Sequence, residues 1–109
     1  MPQQAVVKII QRFLREVERA GIPVYAGVLY GSYARGDAHR DSDIDLLVIS
    51  KSGPAAKARH DAEMLWHLRA RVDYRLEPLL VAKTKWDHDA GSPMLAAIRQ
   101  EGRLIRRWR

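Results

Sequence analysis

The chain has 109 residues, 47% of them hydrophobic, and carries 19 Lys and Arg against 13 Asp and Glu for a formal charge of +6. This length and composition suit one modest core, so residues 1–109 are expected to form a single domain rather than a disordered chain. There is no cysteine, which excludes disulfide frameworks and thiolate metal sites. No apolar run is long enough to suggest a membrane span, and Met1 to Gln4 lacks the features of a secretory signal, so a cytoplasmic protein is expected.

Val6, Ile9, Ile10, Phe13, Leu14 and Val17 recur at three- and four-residue spacing and predict an amphipathic first helix, stopped near Gly21. After Pro23, the run Val24 to Tyr30 reads as a buried strand, and Ile44 to Ile49 as a second. Ser52-Gly53-Pro54 suits the start of a helix that runs to about Ala70, with Ala58, Ala62, Leu65 and Trp66 as its buried stripe. Val72 to Val81 predicts a third strand. A polar stretch from Lys83 to Gly91 leads to a short helix capped by Ser92, with Pro93 in its first turn and Gly102 at its end. The order α-β-β-α-β-α predicts an α/β (α+β) fold, a small mixed three-stranded sheet with helices packed on it.

Much of the positive charge lies in Arg103-Leu104-Ile105-Arg106-Arg107-Trp108-Arg109. Two expectations stand for this segment. It is either a solvated terminal stretch or, because Trp and Arg are enriched at interface hot spots, a surface that docks a second chain. A general nucleic-acid binder should spread its basic residues over a whole face, so a nucleic-acid partner is not favoured.

The segment from Gly31 to Ser42 is polar and holds two glycines, unlike a stretch built for packing. Alternation along a strand places Asp43 and Asp45 on one face, where two carboxylates repel unless a cation lies between them. A hard divalent ion with oxygen ligands meets that need, and Mg²⁺ is the usual one beside substrate phosphates. Gly31-Ser32 follows a strand directly, so backbone amides and the Ser32 hydroxyl can cradle a phosphate. An EF-hand starting at Asp41 is excluded, because its glycine and glutamate positions hold Leu46 and Ser52. A Walker-type loop is excluded as well, since Gly36 is followed by Asp37. His39, His60, His67 and His88 show no metal-ligand spacing, and Trp66 is expected in the core.

Gly31-Ser32-Tyr33-Ala34-Arg35-Gly36, followed by Ser42-Asp43-Ile44-Asp45-Leu46, closely resembles the signature of the polymerase-β-like nucleotidyltransferases. The chain is most similar to their minimal members, loosely over nearly its whole length and including Ile98 to Ile105. The resemblance implies that Gly31, Ser32 and Arg35 bind nucleotide, with Arg35 favoured as a brace of the loop. It implies a two-metal Mg²⁺ site ligated by Asp43, Asp45 and a third carboxylate. Glu77 falls where such relatives carry an aspartate; Asp73, on the same face of the predicted strand, is the alternative. The implied reaction moves a nucleoside monophosphate, AMP in the first instance, from ATP to a hydroxyl on a partner protein. The resemblance also implies a HEPN-family partner, and an alternative role as an antitoxin that neutralises a HEPN-type toxin by association. Another copy of the chain is a further candidate partner.

Overall fold

The computed structural model describes residues 4–51, 55–88, 91–106 and 108, with the side chains of Ala55 and Ala56 left aside. The elements run α1 (Gln4–Arg19), β1 (Val24–Tyr30), α2 (Ser32–Arg35), β2 (Ile44–Ser50), α3 (Ala55–Arg69), β3 (Leu76–Ala82), α4 (Lys83–His88), α5 (Pro93–Glu101) and β4 (Arg103–Ile105). The four strands form one mixed sheet in the order β3-β2-β1-β4. β1 is antiparallel to β2 and β4, whereas β2 and β3 are parallel across the α3 crossover. The fold is therefore the expected α+β mixed sheet with helices on it, enlarged by one strand.

Each face of the sheet carries its own core. Ile44, Leu46 and Val48 of β2 pack with Phe13, Leu14 and Val17 of α1 and Leu65 and Leu68 of α3. Leu47 and Ile49 pack on the other face with Val28, Val81, Leu95 and Ile98. The period-two alternation of β2 is therefore apolar on both faces, as a central strand covered on both sides requires. In β1 the alternation is broken once. Val24 packs on the first face and Ala26 on the second, although they lie two residues apart, because the register shifts between them.

Several expectations change. The third strand begins at Leu76, and residues 72–75 form the turn that enters it. The stretch after Lys83 is helical as far as His88. The helix start expected at Ser52-Gly53-Pro54 lies outside the described residues. On α3 the buried side chains are Leu65 and Leu68, while Ala58 is exposed and Trp66 is 45% exposed. The Trp66 ring instead packs under the Arg69 guanidinium, 4.3 Å from its centroid.

The C-terminal segment is structural. Arg103–Ile105 pairs with Gly27, Val28 and Leu29. Trp108 is only 6% exposed and belongs to the first core. Its indole N–H donates to Glu18 Oε1 at 2.7 Å, and its carbonyl accepts from Arg15. Trp108 is folded onto α1 and is not offered to a second chain.

The outer edge of β3 is partly closed. Ile44 N–H donates to the Arg75 carbonyl at 2.7 Å, which turns Arg75 toward β2 and so turns Leu76 and Pro78 outward. Arg69 Nη1 donates to the outward Leu76 carbonyl, and Pro78 has no N–H to offer.

Candidate active site

The site is built where β1 ends and where β2 and β3 begin. Tyr30 lies opposite Asp45, and Asp45 opposite Glu77, so the three form one row across the sheet. Their parity puts them on the face that carries α5, beyond the apolar cover of that helix. Asp43 is two residues before Asp45 and exposed, and its charge acts on the Glu77 carboxyl.

Gly31 makes the approach to this row feasible. At φ 77° and ψ −152° it adopts a conformation open to glycine, which turns the chain out of β1 into α2. A Cβ at this position would lie 2.2 Å from Asp45 Oδ2. The glycine thus supplies both the turn and the space for a carboxylate. Gly36, at φ 86°, closes α2 with its N–H on the Ser32 carbonyl.

The loop that delivers Asp43 is held from β3's entry. Arg75 Nη1 donates to the Tyr33 hydroxyl and to the Arg40 carbonyl, both at 3.1 Å, and Tyr33 donates to the His39 carbonyl at 3.1 Å. Ser42 Oγ accepts from His39 N–H at 2.9 Å and closes the loop on itself. Tyr33 is thus a buried packing residue that does not line the site. Asp73 orients Arg75 through a fork of contacts at 2.9 and 3.1 Å. This hydrogen bonding holds the Asp73 carboxyl below the usual carboxylate range. Asp73 is engaged with Arg75, while Glu77 stands beside Asp43 and Asp45.

Negative charge gathers here with little to balance it. Burial first, and then Asp43, push the Asp45 carboxyl up, against the opposing charge of Arg35. Partial desolvation and the charge of Asp43, with a further contribution from Asp45, push Glu77 up, against Arg69. Burial, Asp45 and Glu77 push the Tyr30 phenol up to about 12. Among the described residues no three Asp, Glu or His side chains form a preassembled metal-holding group. The all-oxygen donor set and the mutual repulsion of Asp43, Asp45 and Glu77 nevertheless fit a hard divalent cation that would draw them together.

Reasoning from sequence missed one contributor. Glu101, the last residue of α5, accepts from Gly31 N–H at 3.2 Å and faces Arg35 Nη1 at 3.5 Å. Nothing local signals it, because 70 residues separate it from Gly31. Arg35 itself is half exposed and also contacts Asp37 at 3.4 Å, so it braces both ends of its own turn.

Residues 8–103 match the family model described as a nucleotidyltransferase domain. The chain belongs to this nucleotidyltransferase family. It is similar to two candidate protein adenylyltransferases of Methanocaldococcus jannaschii. One is 29% identical over 90% of this chain and 69% of the relative, the other 27% identical over 72% and 82%. A candidate nucleotidyltransferase from Sulfolobus solfataricus shares the fold at TM-score 0.61 and 19% identity, over 92% of this chain and 78% of that one. A chain of a toxin–antitoxin structure with AMP-PNP shares it at TM-score 0.53 and 24% identity, over 86% and 70%. Gly31, Ser32, Asp43 and Asp45, the residues that carry the resemblance, lie together at one edge of the sheet. Among the described residues no helix is long and apolar enough to cross a membrane.

Proposed function

We propose that the protein transfers AMP from ATP to a hydroxyl on a partner protein, in a Mg²⁺-dependent reaction. The observation that carries this reading is the juxtaposition of Asp43, Asp45 and Glu77 with the Gly31–Ser32 turn, in a chain of the nucleotidyltransferase family. The names of the Methanocaldococcus relatives support a protein acceptor and an adenylyl group.

Under this reading Asp43, Asp45 and Glu77 would hold Mg²⁺ in a two-metal arrangement. Bound Mg²⁺ supplies neutralisation of phosphate charge and lowers the pKa of an attacking hydroxyl. The chain's own residues position the reactants. Ser32 and the turn after Gly31 receive the triphosphate, and Arg35 sets its positive charge beside it. A bond forms between the acceptor oxygen and the α-phosphorus as the bond to pyrophosphate breaks. Glu77, exposed at the open end of the row, is the carboxylate best placed to take the hydroxyl proton. Rate enhancement comes from positioning and charge neutralisation.

The test is incubation of the purified protein and its co-purified partner with ATP labelled at the α- or the γ-phosphate. Label should enter protein from the α-position alone, and only with Mg²⁺ present. Transfer from the γ-position would assign a kinase-like reaction and end this reading.

A second reading has its own support in the toxin–antitoxin complexes that share the fold. In it the chain neutralises a HEPN-type toxin by association. Inhibition of the toxin by Asp43→Asn/Asp45→Asn protein, undiminished from wild type, would favour association over modification.

A further inference from the structure

We infer that Glu101 is a positioning residue of the nucleotide site, which fixes the Gly31–Arg35 turn in the form that a triphosphate meets. The inference rests on the nucleotidyl-transfer reading above and adds a residue to it. Its basis is that one carboxylate grips both ends of α2. Oε1 accepts from the N–H of Gly31, which precedes the helix, and Oε2 faces Arg35, which ends it.

A four-residue helix cannot hold its own geometry, since nucleating a turn is unfavourable without outside contacts. Glu101 supplies such a contact from a well-anchored place. Leu95 and Ile98 tie α5 into the second core, and β4 ties the chain that follows to β1. Between them Gly102 presses against the sheet, its N–H on the Ile98 carbonyl at 2.7 Å. A Cβ there would meet the Ile98 carbonyl oxygen at 2.4 Å and Val28 Cγ1 at 2.5 Å. The end of α5 therefore has little freedom, and Glu101 inherits that fixity.

A further carboxylate near Asp45 is costly in charge, and plain packing would be served better by a neutral side chain. Its charge has a use if it orients Arg35 toward the phosphate site. The contact also refines the role of Gly31. With its N–H taken by Glu101, Gly31 contributes space and a turn, not a donor to phosphate.

The experiment compares wild type, Glu101→Gln and Glu101→Ala by ATP titration calorimetry with Mg²⁺ and by amide hydrogen exchange at Gly31. Glu101→Ala should weaken ATP binding about tenfold or more and speed Gly31 exchange by a similar factor. Glu101→Gln keeps an oxygen for the Gly31 N–H but loses the charge and the acceptor that face Arg35, so it should retain Gly31 protection yet weaken ATP binding about threefold or more. Arg35→Ala in the Glu101→Ala background should cost less ATP affinity than it does in wild type, because part of what Arg35 supplies depends on Glu101. Unchanged Gly31 exchange and ATP affinity in Glu101→Ala would overturn the inference. Tighter ATP binding in that variant would overturn it too, by marking the carboxylate as a competitor of phosphate. If Glu101→Ala does not fold, Glu101→Gln decides: weakened ATP binding supports the inference, and ATP affinity unchanged from wild type overturns it. Failure of wild type to bind ATP would instead refute the nucleotidyl-transfer reading, while Gly31 exchange would still judge the brace.

Discussion

The carboxylate of Asp45 occupies the space where Gly31 has no side chain: a Cβ there would stand 2.2 Å from Asp45 Oδ2. Gly31→Ala therefore imposes two separable penalties. The backbone at φ 77° and ψ −152° costs an L-residue about 1–3 kcal/mol, and the clash displaces Asp45. The expected outcome is loss of ATP binding with a stability loss of about 2 kcal/mol or more by urea unfolding. Combining Gly31→Ala with Asp45→Ala should return the clash component while leaving the backbone cost. Simple additivity of the two substitutions would disprove that the residues share this space.

Asp45, a residue of the candidate site, is held at the expense of stability. Its carboxyl is raised by burial and by Asp43, so the folded state binds its proton more tightly than the unfolded state does. A raised carboxylate pKa means that ionisation at neutral pH works against the fold. Asp45→Asn should thus raise the Tm of the metal-free protein by about 2–5 °C at pH 7. The same variant, alone or with Asp43→Asn, should lose Mg²⁺-dependent ATP affinity by calorimetry. An unchanged affinity would remove these carboxylates from the site.

Asp73 behaves in the opposite sense. Its hydrogen bonds with Arg75 lower its folded-state pKa, so its contribution is present above the unfolded value of about 3.9 and is lost as pH falls through the folded value. Asp73→Asn should cost about 1–2 kcal/mol at pH 7. The difference from wild type should shrink progressively below about pH 4. Denaturant unfolding as a function of pH measures this directly; a difference constant down to pH 2 would show that charge is not its source.

Trp108 is a core residue of the C-terminal segment, with its indole on Glu18. Trp108→Ala should destabilise the protein by about 3 kcal/mol or more. Trp108→Phe should restore most of the burial and lose the hydrogen bond to Glu18, for a cost of about 1–2 kcal/mol. Loss of partner association in Trp108→Ala without loss of stability would return the segment to the surface.

Local residue chemistry determined much of this protein. The three- and four-residue spacing of α1, the two apolar strands before and after the signature, and the Ser92–Pro93 start of α5 are written in adjacent residues. Ser92 Oγ does accept the Leu95 N–H, at 3.2 Å. The signature from Gly31 to Asp45 was legible too, because a turn, two alternating carboxylates and a strand are short-range features. Other features depended on contacts between distant positions. Trp66 was expected in the core and Trp108 at a terminal surface, yet the first lies on the outside of α3 and the second fills a gap against α1. β4 acquires its strand character from pairing with β1, which three residues cannot declare alone. Asp73 and Glu77 have the same parity, and they were separated by Arg75, which takes Asp73 for the loop, and by the β2–β3 register, which sets Glu77 beside Asp45. Glu101 reaches Gly31 because α5 packs back on the sheet. Spacing along a chain specifies which face a residue takes; which charges then meet is decided by register and packing between elements.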